Sequence, residues 1–520
     1  MAINVKNSTT NQNPYDYDSM AILGVHDEYL EHSQRWKFLI NSYMGGHEYR
    51  MGKYLTQYVY ESGSEYMQRV LSTPLDNHVR SVVHTYNSFL FRQEPYRDYG
   101  NLRTNQELPS FLKDCDLEGR TWQSFMRDVN VMSTVYGHCL VLLDRPQSQA
   151  GTRAEELAQG IRTYANLFTP ENILDWKFTR LPSGHYELTY LKLLEIEDKS
   201  SYGNVQEYYV RIFTQDKIVL QKYNPRKDSK DAVQIVDEQP NELGKIPAVF
   251  VYANRSPERG VGVSDIGDIA DTQNLITNQT SEIEQIIRLS NAPSLVKTQD
   301  TDAAAGAGAI ITIPNELDAG LKPYLLQPSS QSIDGILRSI EKNIQAIDRM
   351  AHMGAIRAIE TRQMSGVAMQ SEFLLLDAKL CEKGKNLQLA EEQIWRMWAL
   401  WQGESFDGDI MYPMAFHIRD KNLDMDLLKK ASDAKPTNPK VKALIDRKIA
   451  ELLANEEELA EIFAEASEEE MLHPTTSPAT QDQHIQEMVM EGYTDEQMLE
   501  LHPELSQEDL QTAKQKLIDQ

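Results

Sequence analysis

Apolar residues recur at alternating spacings of three and four in long stretches of this chain, the pattern of helices that pack along one seam. Three such stretches cover residues 264–290, 329–353 and 367–402. The middle seam consists of Ile333, Leu337, Ile340, Ile344, Ile347 and Ala351. The first consists of Ile266, Ile269, Ile276, Ile283 and Ile287, and the third extends from Phe373 to Trp401. We therefore predict three long helices, each with a face that other helices must cover.

Polar residues interrupt two of these seams. Gln273 and Thr280 stand within the first, and Lys383 breaks the third. Polar seam residues suit a helix contact that must stay adjustable, although a solvated helix face would show the same pattern. Ser264 and Asp265 are candidate N-caps of the 264–290 helix, since short polar side chains accept hydrogen bonds from the first free amides.

The two segments that follow the predicted helices 264–290 and 329–353 lack a helical pattern. Residues 291–328 are rich in Gly, Ala and Pro, which keeps most of them non-helical, and Ser294–Val296 and Ala309–Ile313 are short strand candidates. Residues 354–366 start and end in glycine and hold Arg357 and Arg362, which predicts a mobile loop.

The first half of the chain alternates helical and β-prone patterns. Helices are predicted at Val25–Tyr43, Asp76–Glu94 and Trp122–Val135. Strands are predicted at Cys139–Leu143, Ile173–Phe178, His185–Leu191, Gln206–Phe213, Lys217–Tyr223, Ala232–Val236 and Ile246–Tyr252, with one more at Met414–Ile418. Turn residues between neighbouring runs favour an antiparallel sheet. The fold class is therefore α+β, mostly helical.

Composition is that of a folded protein. The 520 residues suggest three or so units at roughly 100–200 residues per domain. No run approaches about 18 consecutive apolar residues, so no membrane partner is expected. The three cysteines have neither metal-site nor disulfide-framework spacing, which indicates assembly in a reducing compartment.

The formal net charge of −26 argues against general nucleic-acid binding, because phosphate affinity comes mostly from clustered Lys and Arg. Two interpretations remain open. The charge could serve solubility alone, or it could keep a surface from holding DNA that passes close by.

The last hundred residues are strongly acidic. Glu451–Glu470 contains nine Glu and no Lys or Arg, and residues 473–480 have the composition of a linker. Residues 481–520 form three short helical patterns, similar in outline to a small helix-turn-helix, with ten Asp/Glu and two Lys. That charge favours a protein contact or ring packing over DNA binding.

No catalytic constellation stands out. Gly306-Ala-Gly308 is followed by β-branched residues and a proline instead of the helix that a nucleotide site needs. His78 and His84 lie six residues apart, which is not a metal-ligand spacing, and Asp407 and Asp409 lack the other ligands of a calcium loop. We expect no enzymatic activity, no cofactor and no metal.

An ordered set of short segments spans Val25 to Ile418. In chain order they are Tyr43-Met-Gly-Gly46, Val79–Pro95, Tyr136-Gly-His-Cys-Leu-Val-Leu-Leu-Asp144, Pro170-Glu-Asn-Ile-Leu-Asp-Trp176, Ile246-Pro247, Gly262-Val-Ser-Asp-Ile-Gly267, Ala292-Pro293 and Ser365-Gly366-Val-Ala368. In order and spacing this set resembles the portal proteins of tailed bacteriophages, the head-to-tail connectors.

The resemblance implies a portal-type subunit with wing, two-helix stem, β-containing clip and helical crown, assembled as a ring of twelve. The implied divisions are a flexible N-terminal arm at 1–24, wing at 25–263, stem helices at 264–290 and 329–353, clip at 291–328, tunnel loop at 354–366, wing spine helix and strand at 367–419, acidic crown at 420–472, linker at 473–480 and a small helical module at 481–520.

The resemblance also implies a role and partners. The ring would occupy one capsid vertex of the virion after assembly in the host cytoplasm, and would pass double-stranded DNA during packaging and ejection. Implied partners are the large terminase subunit, a head-completion or tail adaptor protein, the major capsid and scaffolding proteins, and transient, non-specific double-stranded DNA.

Site residues follow from the same resemblance. Those for the DNA channel are Arg349, Arg357, Arg362 and Ser365; for clip docking Asp302, Gly306, Gly308 and Asn315; and for subunit packing in the stem Ile276, Ile283, Ile340, Ile344 and Ile347. The two loop arginines could instead pair with Glu360 or with a neighbouring subunit and only hold the loop in place.

Two other classes stay open at this point: a non-portal structural ring or scaffold with the same helix arrangement, and a DNA-processing enzyme with an unfamiliar site. A ring in electron micrographs would separate the ring proteins from the enzyme. Association with a packaging ATPase would separate a portal from a scaffold.

Overall fold

The computed structural model describes residues 17–146, 155–156, 159–198, 206–225, 227, 231–291, 294–296, 318, 324–326, 331–354, 366–414 and 416. All of them belong to the first of two units, which ends at His417. The expected crown, linker and C-terminal module at 420–520 lie outside the described residues.

The described chain is α+β, as predicted. Its α-helices are α1 Tyr17–Leu23, α2 Asp27–Met44, α3 Gly46–Met51, α4 Gly63–Ser72, α5 His78–Leu90, α6 Leu108–Lys113, α7 Trp122–Tyr136, α8 Gly267–Asn291, α9 Gln331–Met350 and α10 Gly366–Gln402. Its strands are β1 Tyr96–Asp98, β2 His138–Asp144, β3 Tyr164–Phe168, β4 Ile173–Arg180, β5 Tyr186–Asp198, β6 Gln206–Thr214, β7 Lys217–Tyr223, β8 Val233–Pro240, β9 Ala248–Tyr252, β10 Asn254–Arg255, β11 Gly262–Val263, β12 Ser294–Val296, β13 Tyr324–Leu326 and β14 Asp409–Met411.

The predicted antiparallel β section is a five-stranded meander in the order β4-β5-β6-β7-β8, with every neighbouring pair antiparallel. Leu191 of β5 faces Phe213 of β6 in the register, and both side chains are buried. The strand predictions in this region are therefore confirmed in type and in chain order.

Strand β2 separates two hydrophobic clusters. Leu140 and Leu142 pack into a cluster with α2, α5 and the meander, whereas Cys139, Val141 and Leu143 pack into a second one with α7 and α10. Because side chains alternate across a strand, a strand buried on both faces needs an unbroken apolar run. This explains why the run at 139–143 contains no polar residue. Strands β3 and β9 flank it.

The N-terminal arm is shorter than predicted. Residues 1–16 lie outside the described residues, but Tyr17–Leu23 is the helix α1, and Met20 and Leu23 are buried in the first cluster. The arm was predicted from the polar composition of the first residues. Met20 and Leu23 are an apolar pair only three residues apart, which is too short a pattern to predict a helix.

The strand expected at Met414–Ile418 is displaced toward the N-terminus. Asp409–Met411 forms β14 instead and pairs with β1, so that Ile410 lies fully buried. Gly408 permits this pairing: a Cβ there would lie 2.0 Å from the carbonyl oxygen of Asp98, so only glycine lets the two segments approach this closely.

Candidate functional site

The helices α8 and α9 form an antiparallel pair. Gln279 of α8 donates to the hydroxyl of Ser339 at 2.8 Å and accepts from the amide of Asn343 at 2.9 Å. Beyond the helices, β12 and β13 continue the pairing, with Ser294 opposite Leu326. The two predicted stem helices therefore share one register that continues into the strand pair at their far end. With 25 residues, α8 is about 37 Å long at about 1.5 Å per residue.

The seam residues become more exposed with distance from the base of this pair. Ile347 and Ala351 are fully buried, and Ile276 and Ile283 are nearly so. Ile340 and Ile344 are partly buried against the first cluster. Nearer the strand pair, Ile287 is 40% and Leu337 is 45% exposed. The apolar seam is thus longer than the part of it that this chain covers.

The polar seam residue Gln273 of α8 contacts α2 and α5 instead of solvent. Gln273 is fully buried; its amide oxygen accepts from the backbone N–H of Val79 at 2.9 Å, and its amide nitrogen donates to Ser42 O at 3.2 Å. Neither expected interpretation, an adjustable contact or a solvated face, describes Gln273. It satisfies a free amide in the first turn of α5, which is the kind of group that needs a partner when buried.

A second polar contact fixes α8 to α4. Arg69 is buried, pairs with Glu61 at 2.7 Å and donates to the Ser281 hydroxyl at 3.0 Å. Hydrogen bonding to Arg69 keeps the pKa of the Glu61 carboxyl below its usual range. Helix α4 thus holds one side of α8 through the charged side chain of Arg69, which is itself paired.

The base of the pair contains a buried charge cluster. Asp265, just before α8, contacts Lys383 of α10 at 2.6 Å and Lys379 at 2.9 Å, and its side chain is 1% exposed. Asn254 donates to the same carboxylate at 2.7 Å, and Lys383 also donates to the Thr134 hydroxyl at 2.8 Å. One carboxylate therefore joins α7, the β10 segment, α8 and α10.

The expected N-cap role of Ser264 and Asp265 is wrong, because α8 begins later, at Gly267. The Ser264 hydroxyl donates to Val135 O at 2.6 Å and accepts from Ile266 N–H at 3.1 Å. The Asp265 carboxylate forms ion pairs with Lys383 and Lys379 instead of capping the helix. The sequence contained one signal of this cluster, because Lys383 interrupts an apolar seam. In the structure its side chain is 2% exposed. Buried lysines are rare unless paired.

A second charge cluster, missed by sequence reasoning, lies further along α10. Glu391 is fully buried, and its carboxylate accepts from Arg97, Trp122 and Tyr412 at 2.6, 2.7 and 2.5 Å. No local pattern distinguished Glu391 from the adjacent, partly exposed Glu392. Desolvation and the carboxylate raise the pKa of Tyr412, so this phenol stays a hydrogen-bond donor.

The remaining predicted site residues are distributed as follows. Arg349 is exposed in the last turn of α9, where a cation suits the helix dipole. Arg357, Arg362 and Ser365 of the expected tunnel loop lie outside the described residues, as do Asp302, Gly306, Gly308 and Asn315 of the expected clip. Of the clip, the structure describes mainly the β12–β13 pair.

Within the described ranges, no three His, Cys, Asp or Glu side chains are grouped as metal ligands. Over the same residues, every helix is too short or too polar to be a candidate for crossing a membrane.

The entry to α8 also contains a buried histidine. His138 Nδ1 accepts from the Gly262 N–H at 3.2 Å, while its Nε2 has no partner among the described residues. The approach is tight, since a Cβ on Gly262 would lie 2.2 Å from Gly137 O. Burial, with a smaller contribution from His32, lowers the pKa of His138 to about 3.

We expect acid to destabilise the fold through His138. Between pH 6.5 and 3 the unfolded chain binds a proton that the folded chain excludes, so stability falls as the pH falls. From pH 7 to 5 the free energy of unfolding should decrease by about 2 kcal/mol. Urea unfolding of wild type and His138→Asn at both pH values measures this. The variant should lose most of that pH dependence, whereas the exposed-site control His84→Asn should keep it; an unchanged slope in His138→Asn contradicts the assignment.

Comparison with known proteins does not establish a family for this chain. No protein-family model matches the sequence, and no curated protein matches it. Among solved structures, the virion of a native gene transfer agent particle matches with a TM-score of 0.37 and 8% identity, over 70% of this chain and 88% of that chain. The neck of the native particle, computed with C12 symmetry, gives the same values. The neck of an empty particle, computed with C6 symmetry, gives a TM-score of 0.39 and 9% identity, over 78% and 99%. TM-scores below 0.5 do not establish a shared fold.

Proposed function

We propose that this chain is a structural subunit of a closed ring, and that the ring is the portal at the head-to-tail junction of a phage-like particle. The observation that carries the ring is the helix pair α8–α9, whose apolar seam extends beyond the part its own chain covers. The portal assignment rests on the ordered sequence segments that resemble portal proteins.

The exposed end of the seam favours association. Ile287 and Leu337 are 40% and 45% exposed, whereas the same seam is fully buried at Ile347. Each Å² of apolar surface removed from water contributes about 25 cal/mol. Association with a neighbouring copy that covers these two side chains would therefore be favourable. Wing contacts from Gln273 and Arg69 hold only one side of α8. Among the described residues, Ile287 and Leu337 remain partly uncovered, so the pair can accept a partner.

The charge distribution suits a conduit. The chain carries a formal net charge of −26, and a ring of such subunits repels phosphates over most of its surface. In the proposed portal the helix pair is the stem, 291–328 is the clip that docks the large terminase subunit and later the tail adaptor, and 354–366 lines the channel. Arg357 and Arg362 of that loop would touch passing phosphates without reading sequence.

The proposed role is not enzymatic. The ring would seat a separate packaging ATPase, pass double-stranded DNA in both directions, and contact the capsid and scaffolding proteins at one vertex. Twelve copies are the proposed number. A non-portal ring or scaffold would use the same exposed seam, so the experiment has to separate the two.

We expect the purified chain to form rings at micromolar concentration in mass photometry and negative-stain images. Leu337→Asp and Ile287→Asp should each weaken the subunit contact more than tenfold, because covering a large aliphatic side chain contributes about 1.5–3 kcal/mol. Leu30→Asp, at an equally exposed leucine of α2, is the matched control and should leave the rings unchanged.

Co-purification with a packaging ATPase then distinguishes a portal from a scaffold. Monomers only, together with particles that contain no ring of this chain, would refute the ring. Rings that never associate with the ATPase or with DNA-filled particles would leave the scaffold interpretation standing and refute the portal.

A further inference from the structure

The exposed faces of α8 and α9 carry opposite charge at matching heights. We propose that α9 of one subunit packs beside α8 of the next through these faces, so that the ring closes by a charge-matched, head-to-tail helix contact. This inference rests on the proposed ring and names the surface and the partner, which is a second copy of this chain.

The face of α9 is basic. Arg338, Lys342, Gln345 and Arg349 follow one another at spacings of four, three and four, which places them along one stripe of a helix. All four are exposed, and none of the three cations forms an ion pair with another described residue. The residues that contact α8, such as Asn343, lie on another side of α9. Asp334 and Glu341 are exposed four residues before and three residues after Arg338, so they border the same stripe and leave it a net charge of +1 from three cations and two anions.

The face of α8 is acidic and apolar. Asp268, Leu275 and Glu282 are spaced by seven residues, so they lie on one side of the helix, and all three are exposed. Leu275 is 48% exposed, and Ile286, one turn beyond Glu282, is half-buried. Asp271 borders this face and pairs with Arg35 of α2 at 2.6 Å. Leu275 can pack against a neighbouring helix and exclude water, while cations of that helix pair with the carboxylates on either side of it.

The shared register brings opposite charges to the same height. Gln279 is level with the segment from Ser339 to Asn343, and Ser294 is level with Leu326. Followed along the antiparallel pair, this register places Arg338 level with Glu282 and Arg349 level with Asp271. Rotation about a ring axis preserves height along that axis. If the pair lies along the axis, Arg338 of one copy therefore meets the next copy at the level of Glu282.

Charge also selects among the possible contacts. Pairing α9 with α9 would oppose the cationic stripes, and pairing α8 with α8 would oppose carboxylates; both arrangements repel. Only α8 against α9 attracts. This contact uses two different surfaces, and such heterologous contacts generate rings, whereas self-complementary contacts generate dimers. The charge arrangement therefore favours ring closure over pairing.

A charge-swap experiment tests this contact. Arg338→Glu and Glu282→Arg should each weaken ring association about tenfold in mass photometry, because each opposes like charges at every subunit contact. The double variant Arg338→Glu/Glu282→Arg should restore the rings, since every contact then regains a reversed pair. Lys385→Glu, at an exposed lysine of α10, is the control and should assemble as wild type. Wild-type rings should also weaken as salt rises from about 50 to 500 mM.

The outcomes separate the two proposals. Wild-type rings with single variants that assemble normally, or a double variant that fails to recover, would overturn this contact while leaving the ring itself intact. Single variants that assemble normally but lose DNA during packaging would show that the α9 cations face DNA, which also overturns it. A wild type without rings overturns both proposals. Thermal unfolding of each variant identifies misfolding, which the rescue by the double variant also excludes.

Discussion

Replacing Lys383 by Met should lower the free energy of unfolding by about 3 kcal/mol. Removing one partner of a buried pair leaves the other charge without compensation, and such losses are typically 3–5 kcal/mol. Asp265 is 1% exposed, so water cannot replace the lost ammonium group. Lys379 remains 2.9 Å away and offsets part of the loss, which places the expected value at the lower end. Urea unfolding at pH 7 measures the difference.

Two variants on the same helix frame this expectation. Lys385→Met, at an exposed position of α10, should change stability by less than about 0.5 kcal/mol. Lys379→Met should cost about 1 kcal/mol, because Lys379 is partly exposed and Asp265 keeps Lys383. A Lys383→Met protein as stable as Lys385→Met would show that the cluster does not hold the base of the helix pair.

The pH dependence of this cluster has a definite sign. Burial by itself raises the pKa of Asp265, but the charges of Lys383 and Lys379 outweigh it and hold that pKa below the ordinary value of 3.8. The stabilisation is therefore present above pH 3.8 and is lost as the pH falls through the lower folded pKa. The destabilisation by His138 already begins below about pH 6.5, so the two effects separate in a pH series.

Replacing Glu391 by Gln should lower the free energy of unfolding by about 3–5 kcal/mol. The carboxylate accepts from Arg97, Trp122 and Tyr412; Trp122 and Tyr412 are buried with it, and Arg97 is nearly so. A glutamine has one acceptor oxygen in place of two, and its NH₂ group would face a donor. Arg97 would also lose its counter-ion, which is costly for a side chain that is 10% exposed.

Glu392→Gln provides the matched control one residue further along. Glu392 forms an ion pair with the exposed Arg396 four residues later, and such surface pairs contribute about 0.3–0.5 kcal/mol. Chemical denaturation of both variants beside wild type measures the contrast. Equal small losses at both positions would mean that Glu391 is not the centre of the second cluster. Both variants should still assemble into rings if they fold, since neither residue lies on α8 or α9.

Local pattern was sufficient for the long helices and the meander strands, but not for the short helix α1 or the position of β14. The helices α8, α9 and α10 and the meander strands follow from periodicity, because a face buried along its whole length repeats at the period of its own backbone. The seam positions Ile276, Ile283 and Ile347 were expected to pack between subunits, whereas the structure buries them within their own chain. The break at Lys383 was also visible, although its partner was not.

Only the tertiary structure decided which faces meet. Asp265 and Lys383 are more than a hundred residues apart, and Arg97 and Glu391 nearly three hundred, so no local spacing relates them. Gln273 looks like a defect in a seam until Val79 is seen to need an acceptor. The register that places Arg338 level with Glu282 likewise exists only once α8 and α9 have paired. Periodicity identifies the buried side of each helix, whereas packing of the whole chain selects its partner.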